Sequence, residues 1–280
     1  MRKILSKIPF NYKTVTVTQS RIDKGLLAIP VSLVDYFPKH KTKIYVASVI
    51  TNDTQQKSFT PYTSSSRECR IGGMKGFYEK FQIKDGDEIV IQILDENKYR
   101  ILPEKQFERL VEKVEDELDN SKTESEASVT LNKISRIAAS DFRETVLSEY
   151  YRLSTKAIEK RGYGNIRPVR VKESTPAPIR KLLTELYHGK CQMSGFGFLM
   201  KNGNPYFEIH HIKPNIGCHF KNLLVVSPNV HTQFTYATVE EFFDKEGWLR
   251  RVRFNGEQFR VQHVIDQVPG KFMKEVHFEL

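Results

Sequence analysis

His210, His211, Asn222 and His231 lie within the run FEIHHIKPNIGCHFKNLLVVSPNVHTQF, residues 207–234, which sets these three imidazoles and this amide in a definite order. The two adjacent histidines close an extended stretch, Tyr206-Phe207-Glu208-Ile209. Asn222 follows, and His231 comes nine residues after it. A neutral imidazole can ligate a divalent cation, and with a reference pKa near ~6.5 it can also take a proton around neutral pH. Neighbouring residues on a strand point to opposite faces, so His210 and His211 cannot both face one ion unless the strand bends. One of them is left to act as a base. A short amide such as Asn222 ties a loop to its own backbone. A bare His-His pair is most often surface or structure; the ordered run around this one, with Ile212-Lys213-Pro214 directly after it, sets it apart.

This segment resembles the active site of HNH nucleases, whose ββα-metal fold packs two strands and a helix around one cation. The resemblance spans roughly Pro176 to Phe259 and includes the lead-in GKCQMSGF and the step Asn222-Leu223-Leu224. It implies hydrolysis of a phosphodiester, which needs an activated water, a cation to steady charge on oxygen, and a frame that holds both in line. By that pattern His210 and His231 are metal ligands, and His211 is the general base. Asn222 belongs to the catalytic set by tying the loop between them. The chain departs from many relatives in two places. Cys191 is followed by Ser194, and Ser227 and Val230 stand where a second cysteine pair would be, so no structural zinc is expected. Thr235 stands where some relatives carry a further histidine, which favours Mg²⁺ or Mn²⁺ with several waters.

The surrounding composition is that of a water-exposed protein long enough for two cores. There are 280 residues, 39% hydrophobic and 28% charged, with net charge +10. No apolar run is long enough to cross a bilayer, and the start MRKILSKIPFNYK lacks a signal peptide's apolar centre, so a cytoplasmic protein with no membrane partner is expected. Three widely spaced cysteines do not read as a disulfide framework. Positive charge fits a polyanion partner. It is interrupted over residues 104–126, which hold 4 Lys and Arg against 9 Asp and Glu.

Residues 1–103 read as an all-β domain. Thr14–Thr18, Lys43–Ile50, Glu88–Leu94 and Lys98–Leu102 have strand composition, with short helices over Pro30–Phe37 and Met74–Phe81. The runs SRIDKGLLAIPVSLVDYFP and SRECRIGGMKGFYEKFQIKDGDEIVIQIL resemble the B3-like DNA-binding pseudobarrel of plant transcription factors and some restriction endonucleases. That resemblance implies two arms that grip the major groove, with Arg21 and Lys24 on the first and Ser66, Arg67 and Arg70 on the second. Arg67 and Arg70 are expected in a loop, where a guanidinium fork could read a guanine edge while Lys and Ser hold phosphate.

Further on, Phe107, Leu110, Val111, Val114 and Leu118 mark an amphipathic helix, and Asp119–Ala127 a polar break. Residues 129–162 return to helix, and Pro176-Ala177-Pro178 starts another, over Ile179–Tyr187. Thr238 with Glu241 three residues on predicts a helix near Thr238–Asp244. Asn255-Gly256 predicts a hairpin carrying Arg250, Arg251, Arg253 and Arg260.

The expected architecture is therefore α+β in two domains. Residues 1–103 form the B3-like pseudobarrel, 104–127 an acidic helical linker, and 128–280 a helical lead-in and ββα-metal nuclease domain. The layout is that of a type II restriction endonuclease acting on double-stranded DNA with one divalent cation per site. A homodimer is left open, and a cognate DNA methyltransferase follows from the class. Two rivals remain: a DNA-binding regulator with an inactive HNH domain, and a homing or repair nuclease.

Overall fold

The computed structural model describes residues 12–47, 54–63, 68–158 and 175–267, and these fall into two compact units. The first holds the described residues up to Glu115 together with Ile134–Ser140; the second holds Asp116–Lys133 and the described residues from Asp141 on.

In the first unit the chain runs through β1 (Tyr12–Thr16), α1 (Gln19–Lys24), β2 (Leu26–Ile29), a 3-10 turn at Val31–Tyr36, β3 (Thr42–Ala47), β4 (Thr54–Thr60), β5 (Cys69–Gly72), α2 (Lys75–Phe81), β6 (Glu88–Asp95) and β7 (Lys98–Pro103). The strands form one barrel-like sheet in the order β1-β6-β7-β3-β4-β5-β2. β3 and β7 run parallel; the other neighbours are antiparallel. Alternate residues Leu27, Ile29, Ile89 and Ile91 join Ile44, Phe59 and Ile71 in the core. There Phe37 stacks on Phe59 and Tyr99, with ring centres 5.4 and 4.4 Å apart. β6 is buried on both faces from Ile89 to Gln92, because Ile134–Ser140 belongs to this unit too. The Ile137 carbonyl accepts from Gln92 Nε2 at 2.8 Å and from Arg100 Nη1 at 3.2 Å, and Arg100 also donates to Gln92 Oε1.

Arg70 is not in a loop. It lies in β5, opposite Ala28 of β2 and Thr60 of β4, since Cys69 and Ile71 on either side of it are drawn into the core. Arg21 and Lys24 sit on α1, closed by Gly25 in the left-handed conformation, where a Cβ would meet Lys75 Cγ at 2.9 Å.

The second unit contains the end of α3 (Glu104–Asp119), most of α4 (Glu124–Ala138), α5 (Phe142–Ser154), α6 (Ala177–Tyr187), β8 (Phe198–Leu199), β9 (Pro205–Tyr206), β10 (Glu208–His211), β11 (Leu223–Val226), α7 (Pro228–Tyr236), β12 (Val239–Phe243), β13 (Leu249–Phe254) and β14 (Glu257–Arg260). The polar break is shorter than the composition implies. Thr123 Oγ1 accepts from Glu126 N while the Glu126 carboxylate accepts from Lys122 N, a reciprocal cap that starts α4 inside the acidic run. Helix resumes not as one run but as two, broken at Ala139 with φ 50°, and Asp141 caps α5 by accepting from Glu144 N at 2.8 Å.

No helix forms over Thr238–Asp244. Those residues make β12, whose Val239 pairs with Phe254 and whose entry is fixed by Thr238 N donating to Asn255 Oδ1. Val239, Phe242 and Phe243 suit a pleated surface, and the neighbouring β13 offers a ladder that overrides the local Thr-x-x-Glu signal. The helix beside the site is α7. Ser227 caps it by accepting from Val230 N, with Pro228 in the first turn. Leu224, Val226, Val230, Leu249, Val252 and Phe254 pack together as the core of this region. Among the described residues no helix is long and apolar enough to cross a membrane.

Candidate active site

Two strands and one helix build the site. β10 pairs antiparallel with β11, His210 opposite Leu224 and His211 opposite Leu223. β11 is wholly buried, and Gln192 serves its backbone: the Gln192 side chain accepts from Val225 N at 2.8 Å and donates to the Gln262 carbonyl. The lead-in that places Gln192 depends on Gly189, at φ +70°, where a Cβ would lie 2.5 Å from Pro205 Cβ.

The pleat separates the adjacent histidines. His210 turns to α7, stacking on Phe234 with ring centres 3.8 Å apart and meeting the His231 ring edge-on at 5.4 Å. Burial, with His231 and His211 nearby, pushes its pKa down to about 4. It is therefore neutral at pH 7, the form that ligates a metal. His211 lies beside the loop joining β10 to β11, its Nε2 3.5 Å from Cys218 Sγ.

Asn222 holds that loop closed. Its Oδ1 accepts from Lys213 N at 2.8 Å, while Nδ2 reaches the carbonyls of Lys213, Ile216 and Gly217 at 3.0, 3.1 and 3.3 Å. The side chain is 4% exposed, so these bonds carry its whole polar demand away from water.

Two further side chains complete the site. Glu208 Oε2 lies 2.5 Å from His231 Nδ1, and Tyr206 donates its hydroxyl to Glu208 Oε1 at 3.0 Å. Sequence reasoning passed over both, although the period of two that separates His210 from His211 also puts Tyr206, Glu208 and His210 on one side of the chain.

Among the described residues no group of three or more His, Cys, Asp or Glu side chains stands where it could hold a metal ion. A cation here would rest on His210 and His231, whose ring centres are near enough to share one. An imidazole centre lies about 3.2 Å from an ion bound at roughly 2.1 Å, so two rings sharing an ion have centres within about 6.4 Å; these are 5.4 Å apart. The remaining positions would go to water and substrate, the habit of Mg²⁺.

In the first unit, Arg21 and Arg70 converge on Glu68. Arg21 Nη2 donates to Glu68 Oε2 at 2.5 Å, and Arg70 Nε is 3.2 Å from Glu68 Oε1. Lys24 is exposed in the last turn of α1. Ser66 and Arg67 lie outside the described residues, as do Arg161, Arg167, Arg170 and Lys172. Of the hairpin arginines, Arg250 is held by Asp244 and Asp266 and Arg253 by Glu240, whereas Arg251 and Arg260 face one another across the strands.

No protein-family profile matches the sequence, and no curated protein matches it. Among solved structures, the chain is similar to an Arabidopsis FUS3–DNA complex at 17% identity and TM-score 0.29, over 34% of this chain and 95% of that one. It is also similar to the N-terminal domain of Helicobacter pylori LlaJI.R1 at 12% identity and TM-score 0.26, over 32% of this chain and 84% of that one. At these values the likenesses assign neither fold family nor function.

Proposed function

We propose that the protein is a sequence-specific endonuclease of double-stranded DNA, its first unit a B3-like reader of the duplex and its second an HNH-type nuclease. The observation that carries this reading is the grouping of His210 and His231 on one side of β10, with His211 turned the other way against a loop that Asn222 fixes. His211 takes the proton of the attacking water, which bonds to phosphorus as the 3′-oxygen departs, leaving 5′-phosphate and 3′-hydroxyl ends. Asn222 keeps the loop beside His211 in one shape, His210 presents a neutral nitrogen to a ligand, and the His231 ring faces the same space. When bound, a divalent cation, Mg²⁺ or Mn²⁺, stabilises charge on the phosphodiester oxygens. Arg21, Lys24 and Arg70, with Ser66 and Arg67, contact the duplex, and a type II restriction role brings a cognate methyltransferase and a homodimer as partners.

One observation favours a second reading. The site offers two imidazoles and no cluster of three potential ligands among the described residues, which suits a DNA-binding protein whose nuclease unit is silent. Incubating unmodified and methylated phage DNA with the protein and Mg²⁺ separates the two. Discrete bands from either DNA support the restriction nuclease, a smear supports a degenerate-site nuclease, and intact DNA that is nonetheless retarded on a gel supports the silent binder.

A further inference from the structure

Resting on that reading, we infer that Glu208 is a positioning residue that fixes His231 in one tautomer, with Tyr206 steadying Glu208 in turn. The carboxylate is an acceptor only, so its approach to His231 Nδ1 at 2.5 Å requires the proton on Nδ1. In the neutral ring Nε2 is then the lone-pair nitrogen, the one a cation takes. The Tyr206 hydroxyl, 3.0 Å from the other carboxylate oxygen, limits rotation of the carboxyl group. Tyr206 is itself stacked on Phe198, ring centres 5.1 Å apart.

The arrangement follows from the secondary structure. Tyr206, Glu208 and His210 alternate along one side of the chain, and α7 brings His231 across to that side. A carboxylate on the far nitrogen of a ligating histidine orients the ring and raises its basicity, and its loss typically weakens metal binding by roughly 10–100-fold. Glu208 therefore acts on the cation through His231. The glutamine variant keeps an oxygen that can accept the Nδ1 proton but lacks the charge; the alanine variant lacks both.

The test uses the full chain with two readouts. In metal-free protein, ¹⁵N-resolved NMR of the His231 ring should show the Nδ1–H form in the wild type and a mixture of tautomers in Glu208→Ala. Titration with Mn²⁺, followed by electron paramagnetic resonance, should show binding weakened roughly 10–100-fold in Glu208→Ala, with part of the loss restored in Glu208→Gln and a smaller loss in Tyr206→Phe. A His231 ring that is Nε2–H in the wild type, or a tautomer unchanged in Glu208→Ala, overturns the inference whether or not metal binds. Wild-type protein that binds no Mn²⁺ while holding the Nδ1–H form overturns the nuclease reading and leaves the positioning of His231 supported. Abolished Mn²⁺ binding in Glu208→Ala with the tautomer intact makes Glu208 a ligand and also overturns the inference.

Discussion

In the second unit, Asp119 at the end of α3 is met by charged groups of α5 and of the residues just after it. Arg152 donates to both oxygens of Asp119 and to Glu149, whose side chain has no exposed surface, and Lys156 reaches Asp119 as well. Removing the guanidinium would take its charge-assisted bonds away from Asp119 and from the Glu149 carboxylate, which has no exposed surface. Arg152→Ala is expected to cost about 3–5 kcal/mol of stability, measurable by urea denaturation; a loss under about 1 kcal/mol would show that water replaces the arginine. In the first unit, Arg70 is fixed by its place in β5 and by Glu68, whereas Lys24 is a mobile-length side chain on an exposed helix turn. A fixed guanidinium can read a base edge and a lone ammonium holds phosphate. Arg70→Ala should therefore relax preference at one base position by roughly 1–3 kcal/mol, while Lys24→Ala weakens all duplexes about equally and lowers the salt slope by about 1. Binding measured across a set of single-base variants decides it, and a uniform loss in Arg70→Ala would make that arginine a clamp only.

Elements are joined by buried polar residues that titrate, and this gives the second unit a pH limit. His263, 4% exposed, has Nε2 at 2.6 Å from the Leu249 carbonyl and Nδ1 facing Gln192 Nε2. The first contact requires a proton on Nε2 and the second a lone pair on Nδ1, so the neutral ring is matched on both sides. Burial, with Arg250 nearby, holds its pKa below the ordinary histidine value, and burial does the same to His219. A lowered pKa means that the folded state binds fewer protons than the unfolded one. The stability both residues contribute is thus present above the unfolded value of about 6.5 and is lost as pH falls below it. Melting temperature should drop steadily from pH 7 to pH 5, and the drop should be shallower in His263→Gln. A flat profile over that range contradicts the assignment.

What could be read from the sequence at this scale depends on whether a signal was local. The Asn255-Gly256 turn, both residues at positive φ, and α6 after its prolines were legible because turn and cap chemistry act within a few residues. β4 was not: TQQKSFT buries only Phe59 deeply and is a strand because β3 and β5 flank it. β12 was misread because Thr238 and Glu241 mimic a helix cap, while its ladder partners in β13 lie six to fifteen residues further along the chain. In the candidate site, His210, His211, Asn222 and His231 were visible from type and spacing. Glu208 was hidden because its partner is 23 residues on, and only the period of β10 links it to the pair.

For the molecule as a whole, composition marks residues 104–127 as an acidic helical stretch, and contacts group Ile134–Ser140 with the first unit. Ile134–Ser140 returns to the first unit and supplies the Ile137 carbonyl to Gln92 and Arg100. A fragment ending at residue 103 would leave both side chains short of that partner on an uncovered sheet face. Fragment 1–140 should melt cooperatively and at higher temperature than fragment 1–103; equal melting would show that the later helices add nothing to the sheet.

The proposed role of His211 is to drive metal-dependent cutting of DNA at a chosen sequence. It is tested most directly by incubating the full chain with a random-site plasmid library and Mg²⁺, then sequencing every end that carries a 5′-phosphate. Ends should cluster at one short sequence, disappear with a chelator and fall roughly 10²–10⁴-fold in His211→Ala, with Mn²⁺ binding and DNA retardation unchanged in that variant. Ends that form equally in His211→Ala, or no Mg²⁺-dependent ends from the wild type, would contradict it.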